Sequence, residues 1–135
     1  MPNELTTRLD RVIAATFAEG FTVLETDQRE HPPQYSVLVG STVDLRRTAC
    51  FRLDGVWLEA FIPELNVQCA LLDEQDERDA DGDLGRLCRA LRVYLRGESH
   101  IDRRPRLLPP GLKTVVRIEL DGQRWSLGRN RWSVH

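Results

Sequence analysis

The chain has 135 residues, 41% of them apolar and 30% charged, with a formal net charge of −2. These proportions exclude a disordered chain, and no stretch approaches the ~20 consecutive apolar residues that a membrane span needs. Folding at this length removes roughly two-thirds of the extended chain's surface from water, so a single domain over 1–135 can build its core without metal or disulfide staples.

The net charge hides an asymmetry. Residues 1–83 carry 17 acids against 7 bases, and residues 84–135 carry 4 acids against 12 bases. Eighteen of the bases are arginine and one, Lys113, is lysine. Arginine grips carboxylate and phosphate with two prongs, and an arginine bias is also what a GC-rich bacterial genome produces. Met1 to Asp10 is polar, with two acids and one arginine, and reads as neither a signal nor a transit peptide. Cys50, Cys69 and Cys88 are odd in number and widely spaced, which predicts a reducing, cytoplasmic compartment.

Asn3 is placed to cap a first helix whose stripe is Leu5, Leu9, Val12, Ile13, Thr16 and Phe17, with Gly20 closing it. Phe21 to Thr26 reads as a short strand, and Asp27 to Pro33 as a polar loop, because Pro32-Pro33 cannot donate to a central ladder. Tyr35, Val37 and Val39 alternate through a second strand that ends at Gly40. The strongest local signal is a hairpin within Val43 to Ile62. An Asp54-Gly55 turn would set Leu53 opposite Val56, Phe51 opposite Leu58 and Ala49 opposite Ala60, all on one face. Arg52 would then face Trp57 and Cys50 would face Glu59 on the other side, which Phe61 shares.

Asn66 to Leu72 reads as a further strand or an irregular edge. Residues 73–83 hold seven acids and one arginine, a run that repels itself and predicts a solvated loop. Asp83 is placed to cap a second helix with the stripe Leu84, Leu87, Cys88, Leu91, Tyr94 and Leu95. Arg86, Arg89, Arg92 and Arg96 fill the rest of its arc, and Gly97 ends it. A loop from Glu98 to Gly111 carries Arg103, Arg104 and Arg106. Thr114, Val116, Ile118 and Leu120 then alternate, and an Asp121-Gly122 turn sets Ile118 opposite Trp125 and Val116 opposite Leu127. The tail from Arg129 to His135 is basic and includes Trp132.

The order α-β-β-β-β-α-β-β predicts an α+β fold: an antiparallel sheet of five to six strands with both helices covering one face. The other face would then carry Trp57, Phe61, Cys50 and Arg52.

Catalytic and cofactor signatures are missing. With Gly82 at the sixth position of a calcium loop, Glu77, Asp79 and Asp81 would take the first, third and fifth. The twelfth would be Cys88, where a glutamate is required. The cysteines have no zinc-ligand spacing. Glu98, Ser99, His100 and Asp102 have hydrolase-like types but sit side by side in one segment, whereas triads draw on separate elements. No cofactor is expected.

Two functions compete. The first is a non-enzymatic protein-binding domain using Trp57, Phe61 and Arg52, with Asp73, Glu74, Asp76 and Glu77 steering a partner that has a basic surface. Small immunity-type inhibitors and secretion chaperones share this size and element order, an analogy that rests on no motif. A homodimer through the Trp57–Phe61 face is another use of the same surface. The second is a nucleic-acid-associated regulator using Arg86, Arg89, Arg92 and Arg96. It is disfavoured because the acidic run is joined to that helix. A motif-free small enzyme is a third, weaker reading.

Overall fold

The computed structural model describes residues 4–31, 33–54, 57–72, 82–106, 111–129 and 132–135. Its elements are two helices and nine strands, arranged as one five-stranded and one four-stranded antiparallel sheet. The α+β expectation holds, but the strands divide between two sheets where one was expected. The position of Asn3 lies outside the described residues.

Helix α1 (Glu4–Thr16) buries Leu9, Val12 and Ile13 along the predicted stripe. Phe17 follows it into the core, its N–H bonded to the Ile13 carbonyl at 2.8 Å. Gly20, at φ +82°, makes the turn into β1 (Phe21–Glu30). That strand is longer than predicted, because Asp27 to Glu30 keep pairing with β2 (Pro33–Ser41) up to Glu30↔Pro33. Two facts reconcile the polar, proline-bearing sequence with a strand. β1 is an edge exposed to water, and Pro33 occupies the first position of its strand, where its missing donor costs little.

β3 (Thr48–Asp54) and β4 (Trp57–Ile62) form the predicted hairpin in a different register. Asp54 pairs with Trp57, Leu53 with Leu58, Arg52 with Glu59, Phe51 with Ala60 and Cys50 with Phe61. The connection therefore spans residues 55–56 instead of 54–55. Each partner changes by two residues, so every side chain keeps its face. Residues 42–47 form a loop, although the hairpin was expected within Val43 to Ile62. Buried Ser41 holds it, its hydroxyl accepting the N–H groups of Val43 and Asp44 at 3.2 and 3.1 Å. β5 (Val67–Leu72) completes a simple meander, β1-β2-β3-β4-β5.

Helix α2 (Asp83–Leu95) buries the whole predicted stripe. Its cap is Gly82, and Asp83 is the first helical residue, its carboxylate near the positive helix end and paired with Arg86. Gly97, at φ +77°, ends the helix: its N–H bonds to the Tyr94 carbonyl and that of Glu98 to the Val93 carbonyl.

The predicted loop from Glu98 to Gly111 is largely a strand, β6 (His100–Arg106), paired with β7 (Gly111–Leu120) along its whole length. β6 is an edge strand, which is where arginines and Pro105 are tolerated. β7 and β8 (Gln123–Leu127) have the predicted register, Ile118 opposite Trp125 and Val116 opposite Leu127. Asp121 and Gly122 both have positive φ between them. β9 (Trp132–Val134) pairs with β8. Among the described residues one β-bridge links the two sheets, the Gln68 N–H meeting the Gly128 carbonyl at 3.0 Å.

One core serves both sheets. It joins Val37, Val39, Phe51, Leu53, Leu58 and Ile62 of the first sheet to Val116, Ile118, Trp125 and Leu127 of the second, under α1 and α2. Tyr35 fixes α1 to the first sheet, its hydroxyl donating to Asp10 Oδ1 at 2.8 Å. Burial first, and then Asp10, push this phenol up to about 12. Its protonated form is therefore favoured by folding. That contribution is complete below pH 10 and is lost between pH 10 and about 12. Unfolding midpoints measured across this window should fall less steeply for Tyr35→Phe than for the parent chain. Equal slopes would refute the assignment.

Candidate functional site

The side of the five-stranded sheet that faces away from the helices carries three rows of side chains. Leu38, Cys50, Phe61 and Gln68 are cross-strand neighbours in the first row, with Glu25 at its β1 end. The second runs Asp27, Ser36, Arg52, Glu59, Ala70, and the third contains Gln34, Asp54 and Trp57. Trp57 is 46% exposed and Phe61 36% exposed.

The sequence grouped Trp57, Phe61 and Arg52 as one patch, and the structure separates them. Trp57 and Phe61 lie two rows apart on β4. Between them Arg52 Nη1 meets Glu59 Oε2 at 3.3 Å. Phe61 instead joins Leu38 and the Cys50 side chain, and Leu24 extends that group over β2. The β1 register shifts between Val23 and Glu25, which turns Leu24 over Gly40. A Cβ on Gly40 would lie 2.8 Å from Leu24 Cδ1, so the glycine makes the room Leu24 fills. The outer face thus has an apolar band of Leu24, Leu38, Cys50 and Phe61 beside a charged row. Leu38 was legible from the alternation that buries Val37 and Val39, whereas no sequence signal marks the bulge that turns Leu24 outward.

Cys50 is a packing residue in this band. Burial raises its thiol above the usual cysteine value, Arg52 offsets part of this, and Glu25 and Glu59 add to it. The nucleophilic thiolate is therefore scarce at neutral pH. Cys69 and Cys88 are buried in the core, with Cys69 pushed up to about 12 by burial. Cys88 is thus a core residue at the place where a calcium loop would need its glutamate. Among the described residues no three His, Cys, Asp or Glu side chains gather as metal ligands.

Asp73, Glu74, Asp76 and Glu77 lie outside the described residues. β5 ends at Leu72, which pairs with Trp57.

The arginines of α2 turn mostly inward on the protein's own groups. Arg86 pairs with Asp83, Arg89 Nη2 lies 3.1 Å from Asp121 Oδ2, and Arg92 Nη1 donates to the Thr16 carbonyl at 3.2 Å. They tie the helix to the β7–β8 turn and to the end of α1; Arg96 is exposed. His100 and Asp102 alternate along β6, and Asp102 lies 3.5 Å from Arg117 on β7 as an ion pair.

A scan against protein-family models finds no matching family, and searches of curated proteins and of solved structures return no match. No helix among the described residues is long and apolar enough to cross a membrane.

Proposed function

We propose that this chain is a non-enzymatic protein-binding domain whose partner docks on the outer face of the five-stranded sheet. One observation carries the reading: both helices pack on the opposite side, and the band of half-buried Leu38 and Cys50 with exposed Leu24 and Phe61, and Trp57 beyond it, still reaches water. A half-exposed aromatic inside an aliphatic band is the type of surface that anchors protein interfaces.

Charge supports a basic partner. Around the band stand Glu25, Asp27, Asp54 and Glu59 against Arg29 and Arg52, and the acidic run 73–83 begins one residue past the partner of Trp57. An acidic rim speeds the approach of a cationic surface, while the apolar band supplies affinity. A small immunity-type inhibitor, or a secretion chaperone holding a cationic client, would use such a face. Commitment of Arg86, Arg89 and Arg92 to internal partners weighs against the nucleic-acid reading.

The test is in-cell chemical cross-linking of the parent chain beside Phe61→Ser and Leu38→Ser variants with unchanged unfolding midpoints. A discrete heterotypic adduct should form with the parent and fall at least tenfold with each variant. Adducts of equal yield, or adducts to a second copy only, would overturn the heterotypic reading.

A further inference from the structure

The free edge of the first sheet is a second surface, distinct in kind from the apolar band. Among the described residues β1 pairs with β2 alone, and from Thr22 to Glu30 each of its residues is exposed. An edge strand turns every second N–H and C=O outward, a template for another strand. Natural edges are blunted by bulges and charges, and β1 has both. The bulge splits regular pairing into Phe21–Val23 and Glu25–Glu30, so the six residues after it are the longer uninterrupted edge.

The charges on that stretch are selective. Glu25, Asp27 and Arg29 share the outer face, being paired with Leu38, Ser36 and Gln34, and Glu30 takes the other face. Arg29 Nε already lies 3.6 Å from Asp27 Oδ2, an exposed pair that is readily exchanged. The stretch is acidic overall, which decides between occupants. No register of a second copy about a two-fold axis gives both Glu25 and Asp27 a cation: Asp27 meets its own counterpart where Glu25 meets Arg29, and Glu25 meets His31 where Asp27 meets Arg29. An extended segment with lysine or arginine at alternate positions meets the same carboxylates as cross-strand partners.

We infer that the β1 edge, over Glu25–Glu30, accepts a basic extended peptide segment as an added antiparallel strand, with its cationic side chains opposite Glu25 and Asp27. The same carboxylates set its preference for a segment that offers a cation to each. Backbone hydrogen bonds hold the segment, and alternate side chains choose it. The inference is independent of the proposed docking face, since it would stand if Phe61 and Leu38 proved dispensable.

The probe is a ten-residue peptide of alternating lysine and valine, titrated into the full chain while amide hydrogen exchange is followed residue by residue. The expected result is slowed exchange confined to outward-facing amides within Glu25–Glu30. Affinity should drop at least tenfold between about 50 and 300 mM salt. The glutamate–valine peptide should not bind, and the lysine peptide N-methylated on alternate residues should lose the protection. The double variant Glu25→Lys/Asp27→Lys, at exposed positions that leave the core intact, should reverse the preference towards the glutamate peptide. Equal binding of the N-methylated peptide would reduce the effect to charge alone and overturn strand addition. So would protection elsewhere in the chain, or salt-independent self-association of the parent.

Discussion

Replacing Phe51 with alanine is expected to cost about 3–5 kcal/mol of folding stability, the largest effect of any single change considered for this chain. Phe51 is 1% exposed and central in the sheet, on the inner face of β3. Its ring lies 5.5 Å from that of Phe17, which in turn meets Phe21 edge-on at 5.2 Å. Truncation therefore removes apolar burial, opens a cavity under both helices and breaks the contact that ties the end of α1 to the sheet. A domain of this size has about 5–15 kcal/mol in total, so at least about a fifth of the margin is at stake. Urea unfolding with an unchanged slope and a lowered midpoint would register it. A loss under 1 kcal/mol would mean that the core is not centred on this residue.

The second large effect is expected at Glu64, in the turn between β4 and β5. Its carboxylate accepts the Thr48 N–H and the Thr48 hydroxyl, each at 2.7 Å, and the Tyr94 hydroxyl at 2.5 Å. Three separate segments thus meet on one side chain. Burial, and after it Glu64, raise the Tyr94 phenol well above the usual tyrosine range, so the hydroxyl remains a donor at neutral pH. Glu64→Ala should cost about 2–3 kcal/mol, because hydrogen bonds to a charged group are lost and a buried hydroxyl is left without its acceptor. Tyr94→Phe alone should cost about 1 kcal/mol. In a double-mutant cycle the two losses should be less than additive, since the first change removes the bond that the second would remove. Strict additivity would show that the bond contributes nothing.

Neither network is visible in local sequence, and the reason is separation. Glu64 reaches Thr48 across 16 residues and Tyr94 across 30, and Arg92 reaches the Thr16 carbonyl across 76. Periodicity reports the face a residue takes, not the distant group it meets. The two helical stripes, the inner faces of β3 and β4 and the Asp121-Gly122 turn were therefore legible, for each rests on neighbours a few positions apart. Edge strands were not. Asp27–Glu30 and His100–Arg106 carry charges and prolines that read as loops, yet an edge needs only one paired side and tolerates both. The candidate site was half legible: alternation placed Trp57 and Phe61 on the outer face, but the register that sets Arg52 opposite Glu59 between them and the bulge that adds Leu24 are tertiary outcomes.

The central claim is that the sheet's outer face is free in the folded chain, and the most direct measurement is the unfolding free energy of Phe61→Ala beside that of Phe51→Ala. Both residues are phenylalanines on adjacent strands of one hairpin, so strand propensity and side-chain size are matched. With Phe61 at the water boundary, its truncation should cost no more than about 1 kcal/mol against 3–5 kcal/mol for Phe51. Comparable losses at the two positions would mean that another part of the chain covers the outer face, and the proposed docking surface would not exist.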